Sequence, residues 1–168
     1  MARNRASRRN LEPRLVQCYH CTRWLQVAAQ AMTVSCPSCY KHLEVRDIVI
    51  NQFHAVKFIA TCGRVLIDKR GHLIADRLLA IEGIEVIGTC HANAVSGRNV
   101  ILHPGSRWKG DCAAPFVVFS DNAVVSGGLF RFPDHTFGVR DESEPLRSTT
   151  GIGPEAHASL KLNTAHLA

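Results

Sequence analysis

Gly71-His-Leu-Ile-Ala75, Gly88-Thr-Cys-His-Ala92 and Gly110-Asp-Cys-Ala-Ala114 share one frame, glycine–x–apolar–x–alanine. A degraded copy follows at Gly127-Gly-Leu-Phe-Arg131, and the four glycines are 17, 22 and 17 residues apart. Alternate positions upstream keep the same phase. Val86, Trp108 and Val125 stand two residues before their glycines, and Ile67, Ile84 and Ala123 stand four before, with Lys69 interrupting the first column. Downstream, Leu78, Val95, Val117 and Phe119 continue the alternation. Period-two alternation that recurs at a nearly constant interval describes short strands laid in register on one another. It predicts an all-β fold, a single-stranded β-helix of about 17 residues per coil over residues 48–133. Four or five coils spaced ~4.8 Å apart make a rod of about 20–25 Å. The longer interval assigns a five-residue excess to a corner loop around Gly97–Asn99 or His103–Gly105.

Working outward, the chain divides by composition. Residues 1–14 hold five Arg against one Glu and almost no apolar side chain, so much of the +6 formal charge sits at one end. Such an arm cannot bury enough surface to offset its ordering entropy and is expected to be disordered. Its electrostatic partners are an anionic membrane surface or nucleic acid. Residues 134–168 turn acidic and rich in Ser, Thr, Gly and Pro, a second expected disordered tail, with one or two marginal helical turns at Leu160–Leu167. No apolar run reaches the ~18 residues of a membrane span and no export signal is visible. A cytoplasmic, reducing setting follows as the expectation, in which cysteines serve as metal ligands or small core residues rather than disulfides.

Between the arm and the repeats, Cys18-Tyr-His-Cys21 is followed after fourteen residues by Cys36-Pro-Ser-Cys39. Two Cys-x-x-Cys pairs at that distance have the spacing of a structural zinc site with four thiolate ligands, Cys18, Cys21, Cys36 and Cys39. Residues 15–47 are therefore a zinc ribbon whose short strands, at Val16 and at Trp24, Leu25 and Val27, pack beside the metal. A segment this small needs the ion to hold it together. His20 and His42 are bystanders, since four thiolates close the coordination sphere. Arg23, Lys41 and Arg46 make the ribbon mildly basic, and it is a recruitment surface for a protein partner. Cys90 and Cys112 fall at equivalent repeat positions and read as one buried column; Cys62 lies off that column and receives no role. His54, His72, His91 and His103 are assigned to exposed positions.

A solenoid's terminal coils expose apolar side chains and unpaired strand edges unless something caps them. Ile48, Val49, Ile50, Phe53, Val56 and Phe58 stand at one end, and Leu129, Phe130 and Phe132 at the other, before Pro133. No amphipathic capping helix accompanies either end. Phe53, Val56, Phe58, Leu129, Phe130 and Phe132 are accordingly the candidate interface for end-to-end self-assembly into a homopolymer.

The run Gly63-Arg-Val-Leu-Ile67, the phrase at Gly88–Ala92 and Trp108-Lys-Gly-Asp-Cys-Ala-Ala-Pro115 with Val117–Val125 resemble the bactofilins, bacterial polymer-forming cytoskeletal proteins. The resemblance covers about residues 58–132. It implies a right-handed β-helix, filaments that assemble without nucleotide and lack polarity, cytoskeletal placement at the inner face of the membrane, and roles in cell shape or division-linked localisation. The chain departs from that pattern in its four-cysteine ribbon, in having Gly-Asp only at Gly110-Asp111, and in an arginine-rich rather than apolar N-terminus. A hexapeptide-repeat acyltransferase needs a strict six-residue period, which the 17- and 22-residue intervals break. Paired carboxylates, a nucleophile elbow and a phosphate-binding glycine loop are also missing, so no enzyme is expected. The alternative is a nucleic-acid-binding regulator built from arm and ribbon, with the β-helix as its oligomerisation module.

Overall fold

The computed structural model describes residues 12–133, all in strands and turns. The arm up to residue 11, the tail from residue 134 and the helical turns expected at Leu160–Leu167 lie outside the described residues. Arg14, counted with the arm by charge, belongs to the first strand, and its guanidinium donates a hydrogen bond to the Val45 carbonyl.

Two antiparallel hairpins come first, β1 (Arg14–Gln17) with β2 (Trp24–Val27) and β3 (Thr33–Ser35) with β4 (His42–Glu44). Five coils follow. They are β5 (Ile48–Ile50) with β6 (Phe53–Thr61), β7 (Arg64–Ile67) with β8 (His72–Ala80), and β9 (Gly83–Val86) with β10 (Thr89–Ser96). The fourth holds β11 (Asn99–Leu102), β12 (Arg107–Lys109) and β13 (Cys112–Ala113), and the fifth β14 (Phe116–Phe119), β15 (Val124–Val125) and β16 (Phe130–Arg131). The first strands of each coil stack into one parallel sheet, β5-β7-β9-β11-β14, and the remaining strands form the second. The fold is a parallel β-solenoid.

Register follows the apolar columns. Val65 stacks on Ile48, Ile84 on Val65, Val100 on Ile84 and Val117 on Val100, so successive coils are 17, 19, 16 and 17 residues long. Val65, Ile84 and Val100 are fully buried, as are Ile67, Val86 and Leu102 in the neighbouring column, and they face Leu73, Leu78, Ala92 and Cys90 of the second sheet. Burying each such aliphatic side chain contributes about 1.5–3 kcal/mol. A lone coil offers only a handful of them to nothing, so stability arrives with stacking. The weak helical reading of Ala75–Ala80 loses to this pattern; those residues run through β8.

The third copy of the glycine phrase corrects the sequence reading. Cys90 pairs with Trp108, and Cys112 pairs with Ala94, so the two cysteines are both buried but occupy different columns. No five-residue excess exists at a corner. The phrase itself has moved along the strand, because its glycines answer to different constraints. A Cβ on Gly88 would lie 2.3 Å from the Gly71 carbonyl oxygen, a close approach at a corner. Gly110 instead sits mid-sheet with φ +121, where a Cβ would be 2.3 Å from the Ala92 oxygen, and it breaks the long second strand into β12 and β13. Gly128 repeats this break one coil later, which makes it rather than Gly127 the partner of Gly110. A side-chain ladder holds the kink: Asn93 Oδ1 accepts from the Asp111 amide at 3.1 Å, and Asp111 Oδ1 from the Leu129 amide at 2.9 Å. Trp108 fills the space beside it, fully buried, its indole N–H donating to the Gly110 carbonyl at 2.8 Å.

The ribbon is fused to the first coil rather than tethered. The Cys62 amide donates to the Glu44 carbonyl at 2.8 Å, Thr61 Oγ1 donates to the Arg46 carbonyl at 2.6 Å, and the Arg64 amide donates to Asp47 Oδ1 at 2.9 Å. Glu44–Asp47 thus lies along Thr61–Arg64 as the corner of a preceding coil. Cys62, which had no role in the sequence reading, is fully buried in the ribbon's own core with Val16, Leu25, Val27, Leu43 and Val45.

Substitution separates the two kinds of glycine. Gly110→Ala combines a positive φ with a backbone clash and should cost about 2–4 kcal/mol in denaturant unfolding. Gly105→Ala, at φ +77 with open space around it, should cost only about 1–2 kcal/mol. Equal losses at both positions would contradict the placement of the kink.

Candidate metal centre

Each Cys-x-x-Cys pair closes a turn with the same backbone bonds. Thr22 N–H donates to the Cys18 carbonyl and Cys18 N–H to that of Arg23; Tyr40 donates to Cys36 and Cys36 to Lys41, all at 2.9 Å. The turns close because Thr22 and Tyr40 adopt left-handed backbone, at φ 61 and 59. The two turns face each other, so Cys18 Sγ lies 3.8 Å from Cys39 Sγ and Cys21 Sγ 3.7 Å from Cys36 Sγ. All four sulfurs fall within 4.8 Å of one another. Metal–sulfur bonds of ~2.3 Å in a tetrahedron place neighbouring sulfurs about 3.8 Å apart, the separation of both these pairs, so the four thiolates are arranged to share one ion. The predicted ligand set comes together complete, and His20 and His42 stay outside it. His20 stacks on Tyr19 with ring centroids 4.6 Å apart, and burial first, then the Lys41 ammonium, holds its imidazole below the ordinary value.

The sulfurs are unequal. Burial drives Cys18 up to about 12, against hydrogen bonds from the Cys21 and His20 amides that favour its thiolate. Cys36 is also pushed up by burial, but amide hydrogen bonds from Cys39 and Ser38 and contacts with the Cys21 and Cys39 thiols outweigh this and bring it to about 7. One sulfur is therefore ready to ligate near neutral pH while another yields its proton only in exchange for a cation. The remaining thiols are structural: burial raises Cys62 to about 11 and both Cys90 and Cys112 to about 12, keeping them protonated and unreactive. An ion held by all four sulfurs would have a filled tetrahedral sphere, with no open position.

The residues assigned to self-assembly divide in a way the sequence did not reveal. Phe53 and Phe58 pair with His72 and Arg77, positions that point away from the core, and the Phe53 ring meets His72 edge-on at 5.4 Å. They stand on the lateral face. Val56 pairs with Ala75 and packs against the core. At the other end Phe130 is half-buried against Trp108 and Phe119, while Leu129 and Phe132 are exposed. Phe119 and Val125 add to this apolar end and were missed, although their position after the last glycine phrases but one would have located them, while the exposed Phe116 pairs with Asn99 on the flank. No family model, curated protein or solved structure matches this chain.

Metal loading must expel thiol protons, so apparent affinity for Zn²⁺ rises with pH and falls as pH drops through the Cys36 value of about 7. Chelator competition should show a loss of roughly tenfold or more per pH unit below neutrality. Affinity that stays constant between acidic and mildly alkaline buffer would rule out a thiol-built site.

Proposed function

We propose that this protein is a non-enzymatic scaffold of the bactofilin kind, which self-assembles end to end through its solenoid and carries a structural zinc ribbon for recruitment. The observation that carries the reading is the fifth coil. Phe119, Val125 and Phe130 belong to inner columns, yet no further coil covers them, and Phe119 remains 51% exposed. The outer edges of β14, β15 and β16 have no strand partner among the described residues. Unpaired parallel edges flanking an apolar layer form a template that another copy satisfies. At the opposite end, among the described residues, β5 and the part of β6 before Thr61 have no strand partner on their outer edges, around a concavity of about 360 Å³ lined by Ile48, Ile50, Asn51, Gln52, His54 and Ile59.

Zinc is the proposed ion because four soft thiolates in tetrahedral array select it. Its part is to hold the ribbon's fold; Cys18, Cys21, Cys36 and Cys39 bind, and no chemistry proceeds there. The assembly needs no nucleotide on this reading, and the cytoplasmic, membrane-proximal location and the shape-related role implied by the family resemblance belong to the same proposal. Among the described residues no helix is long and apolar enough to cross a membrane, which leaves attachment to the arginine-rich arm.

Purified wild-type protein should sediment as concentration-dependent polymers and form filaments in negative-stain microscopy without nucleotide. Val125→Lys or Phe119→Asp should return it to monomers while the β-rich circular dichroism persists. Wild-type protein that remains monomeric across concentration and salt would falsify the scaffold reading.

A further inference from the structure

The ribbon carries an exposed aromatic ring that neither its metal turns nor the solenoid uses. Tyr40 holds left-handed backbone at φ 59, where glycine would be unstrained, and yet its side chain is 84% exposed. The ring has no hydrogen-bond or aromatic partner among the described residues. The turn accounts for the backbone, which glycine would adopt without strain, but not for a large aromatic side chain held out in solvent there. The first turn repeats the arrangement with Thr22, followed by Arg23 and by Trp24, which is 39% exposed on the outer side of β2. After Tyr40 comes Lys41. Both cations are positioned by the metal turns, since their carbonyls accept the Cys18 and Cys36 amides.

Charge points the same way. From Pro13 to Leu43 the chain has no Asp or Glu, whereas it holds Arg14, Arg23 and Lys41 together with His20 and His42. Cations near a tetrathiolate centre have a plain purpose, offsetting its net negative charge. That accounts for Arg23 and Lys41 and leaves the two solvent-facing aromatics without a reason. Two exposed aromatics, each next to a cation in the chain, in a segment without Asp or Glu, are the elements of a stacking platform for bases flanked by phosphate contacts. A duplex hides its base faces, and the ribbon has no helix to enter a major groove.

We propose that the metal-turn pole of the ribbon binds single-stranded nucleic acid, Tyr40 and Trp24 stacking on bases while Arg23 and Lys41 contact phosphates. This site is separate from the solenoid ends and does not depend on the scaffold reading.

The test uses full-length, zinc-loaded protein and a fluorescein-labelled oligothymidylate, with binding read by anisotropy. Tyr40→Gly relieves the backbone conformation, so zinc content and unfolding midpoint should be retained, and affinity should fall roughly 5- to 100-fold for one or two lost stacking contacts. Trp24→Ala should weaken binding similarly, and Lys41→Gln should lower the salt dependence by about 0.7 in log–log slope. Sedimentation of Tyr40→Gly should match wild type, which separates this site from self-assembly. Three results would overturn the proposal: Tyr40→Gly binding the oligomer as wild type does, which assigns binding to the arm; no wild-type binding at low salt; or Tyr40→Gly losing affinity for phosphatidylserine vesicles but not for the oligomer, which assigns the pole to a lipid surface.

Discussion

Parallel stacking of coils is the interaction on which the rest of the structure depends. A coil here is two or three short strands facing inward across a narrow gap, too thin to enclose its own apolar side chains. Every inner residue is covered partly by its own coil and partly by the ones before and after, so Val65, Ile84 and Val100 are fully buried while Val117 in the same column is not. The hydrogen-bond ladder fixes the register of these columns, because a one-residue slip would turn each inner residue outward. Where the chain must depart from regular stacking it does so on the outside. Asp76 is an extra residue in β8 relative to β10, and both Asp76 and Arg77 are exposed, so the bulge leaves the inner columns in phase.

The strands were legible because stacking writes period-two alternation directly into the sequence. Asn99–Leu102 and Phe116–Phe119 appear where the alternation placed them. The metal ligands were legible for a similar reason: two short spacings and one longer one nearly determine a tetrahedral site. What pattern reading could not resolve was the use of each glycine. Gly88 and Gly110 precede the same phrase, but one relieves crowding at a corner and the other permits a positive φ inside a sheet. Aligning the phrases therefore misplaced Cys112 by four residues along its strand. Phe53 and Phe58 show a second limit, since aromatic residues near a predicted end can lie on its flank, and only the register distinguishes the two.

Cys62 had a signal that composition alone obscures. It follows Val45 by 17 residues, one coil length, and the pair marks where the ribbon's last strand becomes the solenoid's first corner. The hydrogen bonds from Thr61, Cys62 and Arg64 to Glu44–Asp47 make ribbon and solenoid share a seam. Gly63 is part of it, for a Cβ there would lie 2.6 Å from Asp47 Oδ1. Backbone bonds and one apolar cluster cross the seam, so the ribbon and the first coil pack as one unit.

That seam makes the two ends of the rod physically different. At the first coil one corner is occupied, because Cys62 is enclosed by ribbon residues and the edge along Thr61–Arg64 is already paired. Another solenoid approaching there meets a filled corner and can use only the β5 and β6 edges. At the fifth coil no such obstacle exists among the described residues, and the apolar layer of Phe119, Val125 and Phe130 lies beside three open strand edges. Association through two fifth coils buries apolar surface on both partners, whereas any contact involving the first coil must accommodate the ribbon.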